Sequence, residues 1–156
     1  MSTVVGNCVP LERLKELVAD QVEANKQLIA VLLTLLDENE EVRAWASDVL
    51  TSVEEPSVEW APQIAELTRH VNAPVAGWAC KLLGRLGNDA TRYQSSLANA
   101  VRQHPEKSVR QLAALALKSV PTLTQDTVLA LKAAASDADP RLSRLASDAL
   151  STQNEA

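Results

Sequence analysis

The chain has 156 residues, 46% hydrophobic and 22% charged, which suffices for one domain with a continuous core and lies outside the composition of disordered chains. Phe is absent and aromatics total 3%, so the core must be built from Leu, Val and Ala, which suits helix-on-helix packing and disfavours a β-sandwich. A net charge of −5 lacks the basic excess of a nucleic-acid binder, and the most apolar run, residues 28–36, is too short to span a bilayer.

The charge is unevenly spread. Residues 1–78 hold 5 Lys and Arg against 13 Asp and Glu, whereas residues 79–156 hold 10 against 7. Two cysteines, Cys8 and Cys80, form neither a Cys-x-x-Cys pair nor a metal-ligand cluster, which suits a reducing compartment. The N-terminus lacks the basic and apolar regions of a signal peptide, so a cytoplasmic location is expected.

Taken in chain order, residues 1–9 are expected to be flexible. Residues 10–36 then carry Leu11, Leu14, Val18, Val22, Leu28, Ile29, Leu32 and Leu35 with no Gly or Pro after Pro10, and predict one long helix or two. Residues 10–24 have no partner within their own repeat and are read as an N-terminal cap, the alternative being a dimerisation helix.

Next comes a striped helix: Val42, Trp45, Ala46, Val49 and Leu50 fall at offsets 0, 3, 4, 7 and 8, one face of an α-helix. The same frame starts again at Val75 (Trp78, Ala79, Leu82, Leu83), at Val109 (Leu112, Ala113, Ala116, Leu117) and at Leu142 (Leu145, Ala146, Ala149, Leu150). The starts are 33, 34 and 33 residues apart, and offset 4 is Ala in all four. Each striped helix follows a second apolar segment: 61–71, 93–103 and 126–136 for the later three, and the end of the 10–36 run for the first. Breaks at 54–57, 86–89 and 120–122 separate the pairs. Pro62 near a helix start and Gly87 just after a helix fit the asymmetry of helix ends. Fixed-period helix pairs predict a solenoid, in which each unit buries its face against its neighbours.

The stretches "DENEEVRAWASDVL" and "HVNAPVAGWACKLLGRLG" resemble short HEAT repeats. The resemblance implies an all-α, right-handed α-solenoid of about four antiparallel helix pairs, near 25–53, 57–86, 89–119 and 123–151. These would form one domain over 10–152, with a frayed tail at 153–156. The family's turn Asp and Val-Arg are matched by Asp37 with Val42-Arg43. His104 with Val109-Arg110 keeps the Arg, and Asp137 with Leu142-Ser143 keeps the Asp. His70 with Val75-Ala76 keeps neither. The resemblance implies that Asp37, Arg43, Arg110 and Asp137 form a ladder between adjacent turns, with Arg110 pairing with Asp137.

Trp45, Trp78, Leu112 and Leu145 share one slot and are expected in the core between pairs. Trp60, before a helix start, is expected at an edge. His70 and His104 also share a slot. No third ligand recurs there, so a helix-end role is favoured over a metal. Offsets 2, 5, 6 and 9 of the second helices are expected to line an open, concave face. Gly77, Cys80, Lys81, Gly84, Gln111, Leu115, Lys118 and Arg144 would then form a trough accepting a partner helix or strand.

No phosphate loop, nucleophile elbow or zinc-protease motif occurs, so neither catalysis nor a cofactor or metal is expected. The reading is a protein-binding scaffold, with no nucleic acid or membrane partner. A homodimer through the N-terminal helix or head to tail stays open. The alternative function is a ligand or pigment chaperone, or an accessory lyase, using the same face.

Overall fold

Residues 10–36, expected as one helix or two, form three. In the computed structural model, which describes residues 8–154, α1 spans Leu11–Leu17, α2 Gln21–Lys26 and α3 Leu28–Thr34. Residues 1–7 of the expected flexible N-terminus and residues 155–156 of the expected tail lie outside the described residues. The first break comes at Asp20, whose side chain accepts from the Glu23 amide and starts a new helix. The second comes at Gln27, whose φ of −110° and ψ of 19° leave the helical region. A side chain that caps the backbone locally outcompetes helix continuation, even within an apolar run.

All regular structure among the described residues is helical, and the helices divide into two compact units, Met1–Trp60 and Ala61–Ala156. In the first unit α4 (Glu40–Ser52) packs against all three preceding helices. α1 packs on α4 with Leu14 and Leu17 fully buried, while Leu11 and Val18 are half-buried. Val22, by contrast, is 67% exposed. The Val9 amide donates to Thr34 Oγ1 at 2.8 Å, tying the chain entry to α3. Asn25 secures the far loop: its Nδ2 donates to the Glu55 carbonyl and its Oδ1 accepts from the Ser57 amide. Trp60, half-buried as an edge residue, donates Nε1–H to the Asn25 carbonyl at 2.6 Å.

The second unit contains α5 (Ala61–Leu67), α6 (Ala73–Gly84), α7 (Gln94–Gln103), α8 (Lys107–Leu117), α9 (Gln125–Ala135) and α10 (Pro140–Asn154). Consecutive helices pack as pairs, α5 with α6, α7 with α8, and α9 with α10. α8 also packs against both α6 and α10, and α7 against α9. The Ala of offset 4 makes this close packing possible: Ala79, Ala113 and Ala146 are fully buried. Gln94, itself buried, bridges to the next loop by donating to the Thr122 carbonyl and accepting from the Thr124 amide. Gln153 does the same from α10, donating to the carbonyls of Val120 and Pro121 and accepting from the Leu123 amide.

Two glycines mark the α6–α8 contact. A Cβ on Gly84 would lie 3.2 Å from both Cα and Cβ of Ala116, atoms that cannot swing aside. A Cβ on Gly77 would meet only the Cδ1 of Leu112, at 2.9 Å. Replacing a helical Gly with Ala gains up to about 1 kcal/mol of propensity, while overpacking a fixed contact costs about 1–3 kcal/mol. Gly84→Ala is therefore expected to destabilise by about 1 kcal/mol, and Gly77→Ala to be neutral or stabilising. Urea-denaturation midpoints of the two variants check the difference in sign.

The turns inside the helix pairs repeat one piece of local chemistry. The side chain at slot 37, 70, 104 and 137 accepts from the backbone amide two residues on. The distances are 2.8 Å for Asp37 Oδ1, 3.0 Å for His70 Nδ1, 3.1 Å for His104 Nδ1 and 2.8 Å for Asp137 Oδ1. Histidine thus replaces aspartate because Nδ1 sits where Oδ1 would. The residue two on is then the N-cap: Asn39 and Asn72 accept from amides of the first turn of their helices, and Asp139 accepts from the Arg141 amide. Glu106 has the same backbone as the two asparagines (φ −88°, ψ 123°) but makes no side-chain cap, its carboxylate being one methylene too far out. Glu106→Asn is expected to raise stability by about 1 kcal/mol, read as a higher urea midpoint.

Arg43 and Arg110 also do identical work. Each donates through Nη1 to the carbonyls six and five residues before it, Asp37 and Glu38 in one case and His104 and Pro105 in the other. The expected Arg110–Asp137 pair does not form. Arg110 is turned back onto its own loop, and Asp137 is engaged with the Asp139 amide. The link between adjacent turns is made instead by His104 Nε2 to the His70 carbonyl (2.8 Å) and by Gln111 Nε2 to Asp139 Oδ2 (2.7 Å). That second bond is the leading cause that holds the Asp139 carboxyl below its usual range.

Candidate binding face

The side of α6, α8 and α10 that no neighbouring helix covers is the candidate site. Burial places it differently from expectation. Cys80 and Gly77 are buried and do not line it. Burial alone pushes the Cys80 thiol up to about 12, so it is unsuited to nucleophilic or metal chemistry. The offset-5 slot that Cys80 occupies is enclosed in α8 too, where Ala114 is fully buried. It is exposed at Ser147 on α10, the last helix of the unit.

The offset-3 slot moves the other way. Trp45, Trp78, Leu112 and Leu145, expected in the core, are all only half-buried. α6 and α8 are rolled so that offset 3 reaches the open side and offset 5 turns inward. Trp78 lies beneath cations of its own helix, with Lys81 Nζ 4.4 Å and the Arg85 guanidinium 5.5 Å from its ring centroid. In the first unit Lys15 covers Trp45 at 5.8 Å.

The remaining expected residues do surround the open side of the second unit. Lys81, Gly84, Leu115 and Lys118 line a cleft of about 370 Å³ between α6 and α8, together with Arg85 and Leu112. Gln111 and Leu115 line a second cleft of about 220 Å³ between α8 and α10, with Ser108, Leu112, Arg141 and Leu145. Arg144 is exposed on α10 but lines neither of these clefts. Leu112 and Leu115 are shared by both, and Leu115 is 43% exposed.

Arg85 and Arg141 fall at offsets 10 and −1, just beyond the ten-residue frame of offsets 0 to 9. Extending the frame one residue at each end finds them. Leu112 and Leu145, expected in the core between pairs, are half-buried beside the clefts, and Leu112 Cδ1 reaches Gly77 of α6.

The face has a leucine floor and a basic rim of Lys81, Arg85, Lys118 and Arg141, with Arg144 exposed on α10 outside the clefts. Residues 61–156 carry 11 Lys and Arg against 8 Asp and Glu, the reverse of residues 1–60, with 4 against 12.

Among the described residues no group of His, Cys, Asp and Glu could hold a metal ion, and no helix is long and apolar enough to cross a membrane. His70 and His104 share a turn-capping role, with no convergent ring nitrogens: His104 Nε2 is directed to the His70 carbonyl. No protein-family model matches the chain, and no curated protein matches it.

Proposed function

We propose that this chain is a short HEAT-like solenoid that binds another protein, without catalysis, on the open side of its second helices. The reading is supported by the 33–34-residue period, by the four turns that repeat one capping bond, and by the successive packing of pairs in residues 61–156. The observation that carries it is the exposed Leu115 between two clefts with basic rims. An exposed leucine with half-buried Leu112 and Leu145 beside it gives a partner apolar area to cover, and the cations orient the approach. The chaperone or lyase alternative loses Cys80 as a site residue, since that thiol is enclosed.

Site-specific photo-crosslinking tests the proposal. A photoreactive side chain at position 115 is expected to capture a protein in cells, and the same group at exposed position 129 on α9 is expected not to. Equal capture from both positions, or from neither, would count against the face.

A further inference from the structure

We infer that the occupant of this face is an acidic amphipathic α-helix; the inference rests on the protein-binding reading above and names the chemistry of its partner. Three observations lead to it.

The first is charge. Four cations, Lys81, Arg85, Lys118 and Arg141, line the two clefts. No carboxylate lines either cleft, and Asp139 accepts from Gln111 of the second. A basic segment would meet like charge, whereas Asp and Glu flanking an apolar stripe would match these cations.

The second is the backbone. The described residues contain no strand, and the face is made of helices whose amides and carbonyls are spent internally. A strand that adds to a sheet needs a free sheet edge, and none is offered among the described residues. A helix arrives with its backbone already paired.

The third is spacing. The two clefts flank α8, and helices pack roughly 8–10 Å apart. Residues seven apart in an α-helix share a face and lie roughly 10 Å apart along its axis. Two bulky apolar side chains at i and i+7 can therefore enter the two clefts on either side of Leu115. The clefts, about 370 and 220 Å³, are each large enough for one such side chain.

The test uses the full chain and labelled synthetic helical peptides, read by fluorescence anisotropy. The lead peptide carries Leu at i and i+7 with Glu on both flanks. It is expected to bind saturably and to weaken as salt is raised. Binding should fall at least tenfold when both Leu are changed to Ala, when the Glu are changed to Lys, or when the protein carries Leu115→Glu. Leu129→Glu, a charge placed on the exposed side of α9, should leave binding unchanged. Circular dichroism confirms that both protein variants are folded.

Failure of the lead peptide to bind, or equal binding of the Lys peptide, overturns the inference. If position 115 still captures a protein by crosslinking in that case, the docking face stands and only the partner chemistry falls. Sedimentation supplies the other outcome: a dimer dispersed by Leu115→Glu would seat a second copy on the face and overturn the helix-peptide assignment.

Discussion

His104→Ala is expected to destabilise residues 61–156 by about 2–3 kcal/mol. The side chain is 6% exposed and holds two backbone groups of successive turns at once, the Glu106 amide through Nδ1 and the His70 carbonyl through Nε2. Removing it leaves both to find other partners in a part-buried place, at about 1–3 kcal/mol for each that fails. His104→Asn separates the two bonds. Asparagine keeps an acceptor for the Glu106 amide, as Asp37 and Asp137 do in their own turns, but cannot reach the His70 carbonyl. It should cost about half as much as the alanine change. The measurement is urea denaturation followed at Trp78, with Trp45→Phe and Trp60→Phe silencing the other unit. Equal losses for Asn and Ala would show that the turn bond contributes nothing and that the link between turns carries the effect.

The second large effect is on binding. Simultaneous reversal of Lys81, Lys118 and Arg144 to Glu is expected to weaken the crosslinked complex on the order of 100-fold, because like charges set against each other at an interface cost several kcal/mol. Most of the loss should appear in the association rate and shrink at high salt, as exposed charges steer encounter and are screened. Lys132→Glu on α9, equally exposed but off the face, is the control. Lys81→Glu alone should also lower stability slightly, since its ammonium sits 4.4 Å from the Trp78 ring, a contact of about 0.5–1 kcal/mol at an exposed site. An unchanged association rate in the triple variant would remove these cations from the interface.

The stretches that were legible in the sequence are those where the controlling interactions are short. The stripe of Val75, Ala79, Leu82 and Leu83 reads as a buried helix face, and all four residues are fully buried. The recurring Asp, His, His and Asp at 37, 70, 104 and 137 was visible as a slot, although its meaning was not. Only the acceptor geometry shows that a histidine Nδ1 stands in for a carboxylate oxygen. The apolar run of 10–36 hid two breaks, because hydrophobic periodicity says nothing of where Asp20 or Gln27 will interrupt a helix. Of the residues expected on the face, Lys81, Gly84, Gln111, Leu115 and Lys118 line clefts, whereas Gly77 and Cys80 are buried.

By itself, then, the sequence determined that the chain is helical, where its striped helices lie, and that one slot recurs in four turns. Each of these depends on side chains one helical turn apart or amides two residues away. Which edge of the stripe meets solvent was decided only by tertiary packing. A helical frame sets offsets 3 and 5 about 200° apart but does not say how far the helix is turned against its neighbours. It is the roll of one helix against the next that encloses Cys80 and Ala114 and leaves Trp78 and Leu112 at the open side. That roll is set by contacts between residues some thirty positions apart, such as Gly84 against Ala116, where the missing Cβ lets two backbones meet.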